Sequence, residues 1–158
     1  MEGRVLTAFT GDGEVLLKRF KKIDRDVFSV CVHEASHALV AHIFGFKVHR
    51  LKVWEGEEYI RGFTSMELPR CPILDAFVTL AGSAGESLWQ KRTKGEVSQD
   101  DWQDMKRRRI SGMGLALVLP QLNKLLRKNK KAIYRLAKGL KKTKNVARKE
   151  FLEIIRAS

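Results

Sequence analysis

Residues 31–40 read Cys-Val-His-Glu-Ala-Ser-His-Ala-Leu-Val and contain the pattern H-E-x-x-H. Apolar residues surround the pattern, neither proline nor glycine interrupts it, and Gly45 follows where a helix would end. These features predict an α-helix that begins near Val27 and forms the centre of the domain.

The pattern places two imidazoles and one carboxylate on adjacent turns of this helix. His33 and His37 are four residues apart, so both side chains lie on one face of a helix and can reach the same ion. Glu34 points to the side of that face, where it can take a proton from a water molecule. The pattern therefore predicts a zinc site with Glu34 as general base. A core helix whose histidines only find hydrogen-bond partners is the alternative interpretation.

Length, composition and cysteine usage predict one intracellular domain. The chain has 158 residues, 44% of them hydrophobic, which is enough for a core within a single domain over residues 1–158. The sequence contains no long apolar run and no apolar leader, so we expect neither a membrane span nor a secretory signal. Cys31 and Cys71 are its two cysteines, which favours a reducing, cytoplasmic compartment. We expect Cys31 to be a small core residue rather than a ligand.

The net charge of +13 is concentrated in the last third of the chain. Residues 105–158 carry ten Lys, seven Arg and two Glu, a net of +15, which leaves a net of −2 for residues 1–104. We therefore divide the domain into an N-terminal extension (1–26), a metal-site core (27–104) and basic C-terminal helices (105–158).

Outside the central helix, the N-terminal two thirds of the sequence predict strands and one further helix. Residues 4–20 predict a hairpin, or a turn into a short helix. Residues 46–54 alternate apolar and polar side chains and residues 59–66 return, which predicts a small antiparallel strand pair directly after the metal helix. Zinc peptidases hold extended substrates along an edge strand, and Gly62, Phe63 and Thr64 are our candidates for that edge. The predicted fold is mainly α, of the α+β class.

The next helix is predicted to pack against the metal helix. Pro72 is suited to its first turn, and residues 81–85 are all small. Because a glycine costs about 1 kcal/mol in a helix interior, Gly82 and Gly85 indicate that another element approaches closely. Glu86 follows in this apolar segment, and we expect it either to accept a hydrogen bond from a ligand histidine or to form a salt bridge at the rim.

The last third of the chain is predicted to be helical. Apolar residues from Leu122 to Leu140 form one stripe, on which Asn129 is the only polar residue. Asn145 is placed to cap a final helix. Residues 110–119 are expected to form either a buried helix or a loop under the site.

A zinc site needs a third protein ligand besides the two histidines. Val40 and Ile43 stand where metzincins have Gly and His, which excludes that class. His42 lies well round the helix from the ligand face, so we interpret it as structural. Nothing in the sequence favours His49, on the predicted strand, as the third ligand. Glu57 and Glu58 are possible positions for a glutamate ligand, but they lie in a predicted turn rather than on a second helix. The remaining candidates are Asp100 and Asp101 at the start of a downstream helix. Capping of that helix is an alternative explanation for its first acids, Asp100 and Asp104.

In the order of its motifs the sequence resembles the peptidase domain of the FtsH-type membrane AAA proteases. Residues 33–38 are similar to the HEAGHA signature of that family, and residues 62–64 read Gly-Phe-Thr where the family has Gly-aromatic-Thr. Residues 80–86 are similar to its L-G-G-R-A-A-E helix, and residues 97–102 resemble its G-A-S-N-D-L segment. The resemblance covers roughly residues 27–158.

The resemblance implies a helical zinc-peptidase fold and a complete ligand set. The family's third zinc ligand is an aspartate directly before an apolar residue, which matches Asp101 before Trp102. It thus implies that His33, His37 and Asp101 hold Zn²⁺, with Asp100 as the competing candidate. Two departures stand out: Ser83 replaces the arginine of the family's helix motif, and no Walker A pattern is present, so ATP-driven unfolding is not implied.

We therefore expect a stand-alone zinc metallopeptidase that cleaves flexible or unfolded protein segments without an ATPase of its own. The rival hypothesis is a regulatory or nucleic-acid-binding protein on a peptidase-like scaffold, because residues 106–109 and 127–131 are strongly basic. These residues can equally form the solvated face of amphipathic helices. Few aromatic residues accompany them, with Tyr134 the one beside residues 127–131, which argues against base stacking. An acidic partner or a nucleic acid is thus a second class of ligand, and a homo-oligomer is compatible with the sequence.

Overall fold

A computed structural model of the chain describes residues 5–9, 15–19, 27–56, 60–67, 70–90 and 112–158. These residues are mainly helical and contain one antiparallel sheet, which confirms the predicted α+β class. None of the helices within these ranges combines the length and the hydropathy that a membrane span requires.

The elements are named in chain order. The helices are α1 (Val27–Ile43), α2 (Pro72–Trp89), α3 (Gly112–Lys128), α4 (Lys130–Thr143) and α5 (Arg148–Arg156). The strands are β1 (Val5–Phe9), β2 (Val15–Arg19), β3 (Val48–Glu55), β4 (Ile60–Met66) and β5 (Asn145–Ala147). The sheet has the order β1-β2-β4-β3-β5, and each neighbouring pair is antiparallel.

Helix α1 is the central element of the fold. Every residue from Phe28 to Ala41 is buried, because α1 packs against α2, α4 and strands β3 and β4. The helix begins at Val27, close to the predicted position, and ends at Ile43, two residues before Gly45, which has a positive φ of 83°. The backbone N–H groups of Gly45 and Phe46 donate to carbonyls of the last turn, at 2.9 Å each. The glycine therefore terminates the helix and turns the chain into β3.

Strands β3 and β4 form the predicted antiparallel pair directly after α1, with Leu51 opposite Thr64. Strand β5 joins the other side of β3, where Val146 lies opposite Leu51 and is fully buried. The prediction that Asn145 caps the last helix is therefore wrong. Asn145 pairs in the strand, and Ala147 is the residue that precedes α5.

The sequence left open a hairpin or a turn into a short helix for the N-terminal segment. The structure has the hairpin, with β1 paired to β2. Strand β2 also pairs with β4, through Val15 and Thr64. The prediction that residues 62–64 form an edge of the sheet is therefore wrong. The hairpin supplies a partner for the open side of β4, so that β1 and β5 are the edges of the described sheet.

The apolar stripe from Leu122 to Leu140 is divided between two helices rather than carried by one. Asn129 separates α3 from α4, and its side-chain Nδ2 donates to the Leu125 carbonyl oxygen at 2.8 Å. An asparagine amide that competes for a carbonyl of the preceding turn interrupts a helix. Of the two readings for residues 110–119, the structure has a helix from Gly112 onward.

Candidate metal centre

The two histidines of α1 face each other in the core. The Nε2 atoms of His33 and His37 are 3.0 Å apart, and the two residues are only 4% and 5% exposed. Their Nδ1 atoms point away, that of His37 to the Val78 carbonyl oxygen at 2.7 Å and that of His33 to the Glu86 carboxylate at 3.3 Å. The residues that receive these contacts, Val78 and Glu86, both belong to α2, so α2 fixes the orientation of both rings.

These contacts determine which nitrogen atoms are available as ligands. A carbonyl oxygen only accepts hydrogen bonds, so Nδ1 of His37 carries a proton, and the Glu86 carboxylate favours the same tautomer for His33. When both rings are neutral, this tautomer directs two Nε2 lone pairs at each other across 3.0 Å. Facing lone pairs repel unless a proton or a metal ion lies between them, and neutral imidazole nitrogen is a preferred zinc ligand. The donor set therefore fits a zinc ion.

Glu86 is held by a buried network behind His33. Its Oε1 accepts a hydrogen bond from Ser29 Oγ at 2.9 Å, and Ser29 Oγ in turn accepts one from Gln90 Nε2 at 2.7 Å. Glu86 is 3% exposed, and its carboxylate makes the predicted contact with His33. Sequence reasoning missed Ser29, although it lies four residues before His33 on the same face of the helix.

Replacement of Glu86 with Gln is expected to lower zinc affinity by about 10- to 100-fold, the usual cost of losing the hydrogen-bond partner of a ligand histidine. The amide removes the negative charge that orients the His33 ring and favours its tautomer. Competition with a chromogenic chelator measures the affinity. Glu153→Gln, an exposed site on α5, is the matched control. Equal zinc affinity of the two variants would contradict a role for Glu86 behind the ligand.

Glu34 is fully enclosed between α1 and β4. The Thr64 hydroxyl group donates to Glu34 Oε2 at 2.6 Å and to the Glu34 carbonyl oxygen at 3.2 Å. A Cβ atom at Gly62 would lie 2.7 Å from Glu34 Cδ, so only glycine leaves room for the carboxylate there. Gly62 and Thr64, predicted as a substrate edge, instead position Glu34. Phe63 between them packs near Trp54, with ring centroids 6.3 Å apart.

Replacement of Thr64 with Val is expected to reduce peptidase turnover by roughly 10- to 150-fold, since a hydrogen bond to a charged group is worth about 1.5–3 kcal/mol. Valine keeps the shape of threonine and removes only the donor that positions Glu34. Zinc content should stay unchanged, because Thr64 touches neither histidine ring. Turnover and zinc are measured on the same preparation, with Thr143→Val on α4 as control. Loss of zinc in Thr64→Val would contradict a role confined to Glu34.

The close approach predicted from the small residues of α2 is confirmed. A Cβ atom at Gly82 would overlap the Nε2 atoms of both histidines and lie 2.6 Å from His33 Cδ2. A Cβ atom at Gly85 would lie 2.7 Å from Ser36 Cβ. The two glycines let α2 pass directly over the histidine pair, which leaves a cradle beside the Nε2 atoms.

Cys31 and His42 have the structural positions that the sequence predicts. Cys31 is 0% exposed, and burial raises the pKa of its thiol to about 12. Its side chain lies two residues before His33 and therefore on another side of the helix. The His42 ring packs edge-on against Phe151, with centroids 5.4 Å apart, and His49 is exposed on β3.

The third ligand predicted from the sequence lies outside the described residues. This holds for Asp101, for its competitor Asp100 and for Glu57 and Glu58. Within the described ranges, no group of three His, Cys, Asp or Glu side chains is placed to hold a metal ion. The described part of the candidate centre thus consists of two imidazoles, their α2 partners and Glu34.

No protein-family model matches the sequence, and no curated protein matches it significantly. The resemblance to the FtsH-type peptidases therefore rests on the four motifs alone. Three of them meet at α1: residues 80–86 of α2 contact the histidines of residues 33–38, and residues 62–64 of β4 contact Glu34. The fourth, residues 97–102, lies outside the described part of the chain.

Proposed function

We propose that this protein is a zinc-dependent metalloendopeptidase that hydrolyses flexible or unfolded protein segments in the cytoplasm, without an ATPase of its own. The observation that carries the proposal is the pair of Nε2 atoms 3.0 Å apart with both Nδ1 atoms engaged by α2. A zinc ion shared by the two Nε2 atoms would account for this arrangement. Glu34, the residue after His33, would supply the base that a hydrolase requires.

His33 and His37 would hold the zinc ion, with Asp101 as the third ligand implied by the resemblance. When bound, zinc would polarise the scissile carbonyl group and activate water for attack. Glu34 would take a proton from the attacking water and pass it to the nitrogen of the leaving amine. The Thr64 hydroxyl, 2.6 Å from the carboxylate, would hold Glu34 in position for both transfers.

The class of substrate follows from the burial of the proposed metal centre, whose two histidines are only 4% and 5% exposed. A peptide bond enters a buried metal centre only as part of a segment that can extend or bend locally. Disordered regions and unfolded chains meet that condition, and unfolded casein is a suitable first substrate.

Metal analysis of the purified protein tests the proposal most directly. We expect about one zinc per chain, loss of the ion in Asp101→Ala, and retention in Asp100→Ala, since one carboxylate completes the three protein ligands of a catalytic zinc site. Retention in both variants would transfer the third-ligand role to Glu57 or Glu58. A parent protein without zinc after growth in zinc-supplemented medium, and unable to bind it afterwards, would contradict the proposal and favour core histidines.

A further inference from the structure

Three aromatic rings from distant parts of the sequence meet on the surface of the molecule. Trp89 at the end of α2 and Tyr134 in α4 have ring centroids 5.5 Å apart, and both residues are 37% exposed. Phe28 of α1 lies beneath them, 4.9 Å from Trp89 and 5.4 Å from Tyr134 in edge-on geometry. Phe28 is buried and fixes the two outer rings, which present part of their surfaces to solvent.

Lysines of α4 surround these rings. Lys138 Nζ lies 5.0 Å from the centroid of Tyr134, and Lys141 Nζ lies 5.8 Å from that of Phe28. Both lysines are exposed and stand four and seven residues after Tyr134, on the same face of the helix. We call Trp89, Tyr134, Lys138 and Lys141 the aromatic–lysine patch.

The segment of the chain that carries Tyr134, Lys138 and Lys141 has charge of a single sign. Residues 112–149 contain twelve Lys and Arg residues and no Asp or Glu. Lys130 lies one turn before Tyr134 and is also exposed, so it extends the basic stripe along α4. A stripe without acidic residues attracts polyanions and repels basic partners.

We propose that the aromatic–lysine patch binds single-stranded nucleic acid, with bases stacked on Trp89 and Tyr134 and phosphates paired with Lys138 and Lys141. Exposed rings set among cations are the combination that recognises unpaired bases on a charged backbone. An acidic peptide would use the lysines but gain little from flat rings, and a duplex keeps its bases stacked inside. In the sequence, few aromatic residues lie beside the basic residues, which argues against base stacking. In the folded chain, however, Trp89 and Phe28 lie next to Tyr134.

The test measures binding of a labelled fifteen-nucleotide oligothymidylate to the full chain by fluorescence anisotropy at about 50 mM salt. A phosphate backbone of the same length without bases, a DNA duplex of that length and polyglutamate are the comparison probes. We expect the oligothymidylate to bind at least tenfold more tightly than each of them, because stacking adds to charge pairing. Its affinity should also fall steeply as salt rises.

Four variants assign the binding to the patch. Tyr134→Leu, which keeps an apolar contact with Phe28, and the double variant Lys138→Ala/Lys141→Ala should each weaken binding at least fivefold. The charge-matched double variant Lys124→Ala/Lys149→Ala removes exposed lysines of α3 and α5 and should change it less than twofold. Trp89→Phe should retain binding but lose the quenching of tryptophan fluorescence on addition of the oligonucleotide. Circular dichroism verifies that each variant is folded.

The proposal is overturned by any of three results: no binding of the oligothymidylate at low salt, equal binding of the base-free backbone or polyglutamate, or equal effects of the two double-lysine variants. Equal binding of polyglutamate would identify the patch as a surface for acidic proteins. The proposal is independent of the metal centre. Glu34→Gln is expected to bind the oligothymidylate as tightly as the parent does.

Discussion

Replacement of Glu34 with Gln is expected to lower the rate of proteolysis by about 10²- to 10⁴-fold, the usual contribution of a general base, while zinc stays bound. A glutamine has nearly the same shape as the glutamate and keeps the oxygen that accepts the hydrogen bond from Thr64. It cannot take a proton from water at neutral pH. Neither histidine ring depends on Glu34 for its Nδ1 contact, which is made by Glu86 or by the Val78 carbonyl oxygen.

Cleavage of fluorescein-labelled casein and zinc content by atomic absorption are the two measurements for this variant. Glu67→Gln is the control, because Glu67 is exposed just after β4 and has no place in the proposed mechanism. A Glu34→Gln protein that cleaves casein at the parent rate would show that Glu34 is not the base. Loss of zinc together with activity would place Glu34 among the ligands and change the assignment of the third one.

Local features of the fold could be predicted from the sequence because they depend on residues a few positions apart. The end of α1 near Gly45, the strand pair after it and the start of α2 at Pro72 all follow from short-range patterns. The packing of α2 on α1 was also predictable, since Gly82 in a helix interior has a cost that only a close neighbour explains.

Features that depend on pairing between distant segments could not be predicted in this way. Strand β4 lies inside the sheet only because a hairpin some fifty residues earlier pairs with it at Thr64, and no local pattern specifies that partner. Asn145 has the chemistry of a helix cap, but the segment that contains it pairs with the free side of β3 as a strand. The intrinsic preference of a residue for a helix, strand or cap is overridden where its segment can gain main-chain hydrogen bonds to a distant strand.

The residues of the proposed metal centre also divide into local and long-range features. The pattern of His33, Glu34 and His37 is local, so the proposed ligand pair and the proposed base could be predicted from one helix. The partners behind them, Ser29 with Glu86 and Thr64 with Glu34, join positions 30 or more residues apart in sequence. Polar residues of this kind are common in any chain, and only the fold shows which of them meet.

Replacement of Gly82 with Ala is expected to remove the zinc ion and with it nearly all peptidase activity. The new methyl group would overlap the Nε2 atoms of both histidines. The clash can be relieved only if α2 moves away or the rings rotate, and ring rotation breaks the Nδ1 contacts with Glu86 and the Val78 carbonyl oxygen. Alanine stabilises a helix by about 1 kcal/mol relative to glycine, and overpacking costs about 1–3 kcal/mol, so the protein should remain folded with a slightly lower melting temperature.

Gly139→Ala in α4 is the matched control, because a Cβ atom there would meet only the flexible end of Ile154, at 3.2 Å. That variant should retain full zinc content and activity. We expect Gly82→Ala to be folded by circular dichroism, because the gain in helix stability and the packing cost nearly offset each other. Its zinc content should be below about a tenth of the parent's, which would show that the site is damaged and the fold is not. A Gly82→Ala protein with normal zinc and normal turnover would contradict the position of the two imidazoles under α2, and the proposed metal centre with it.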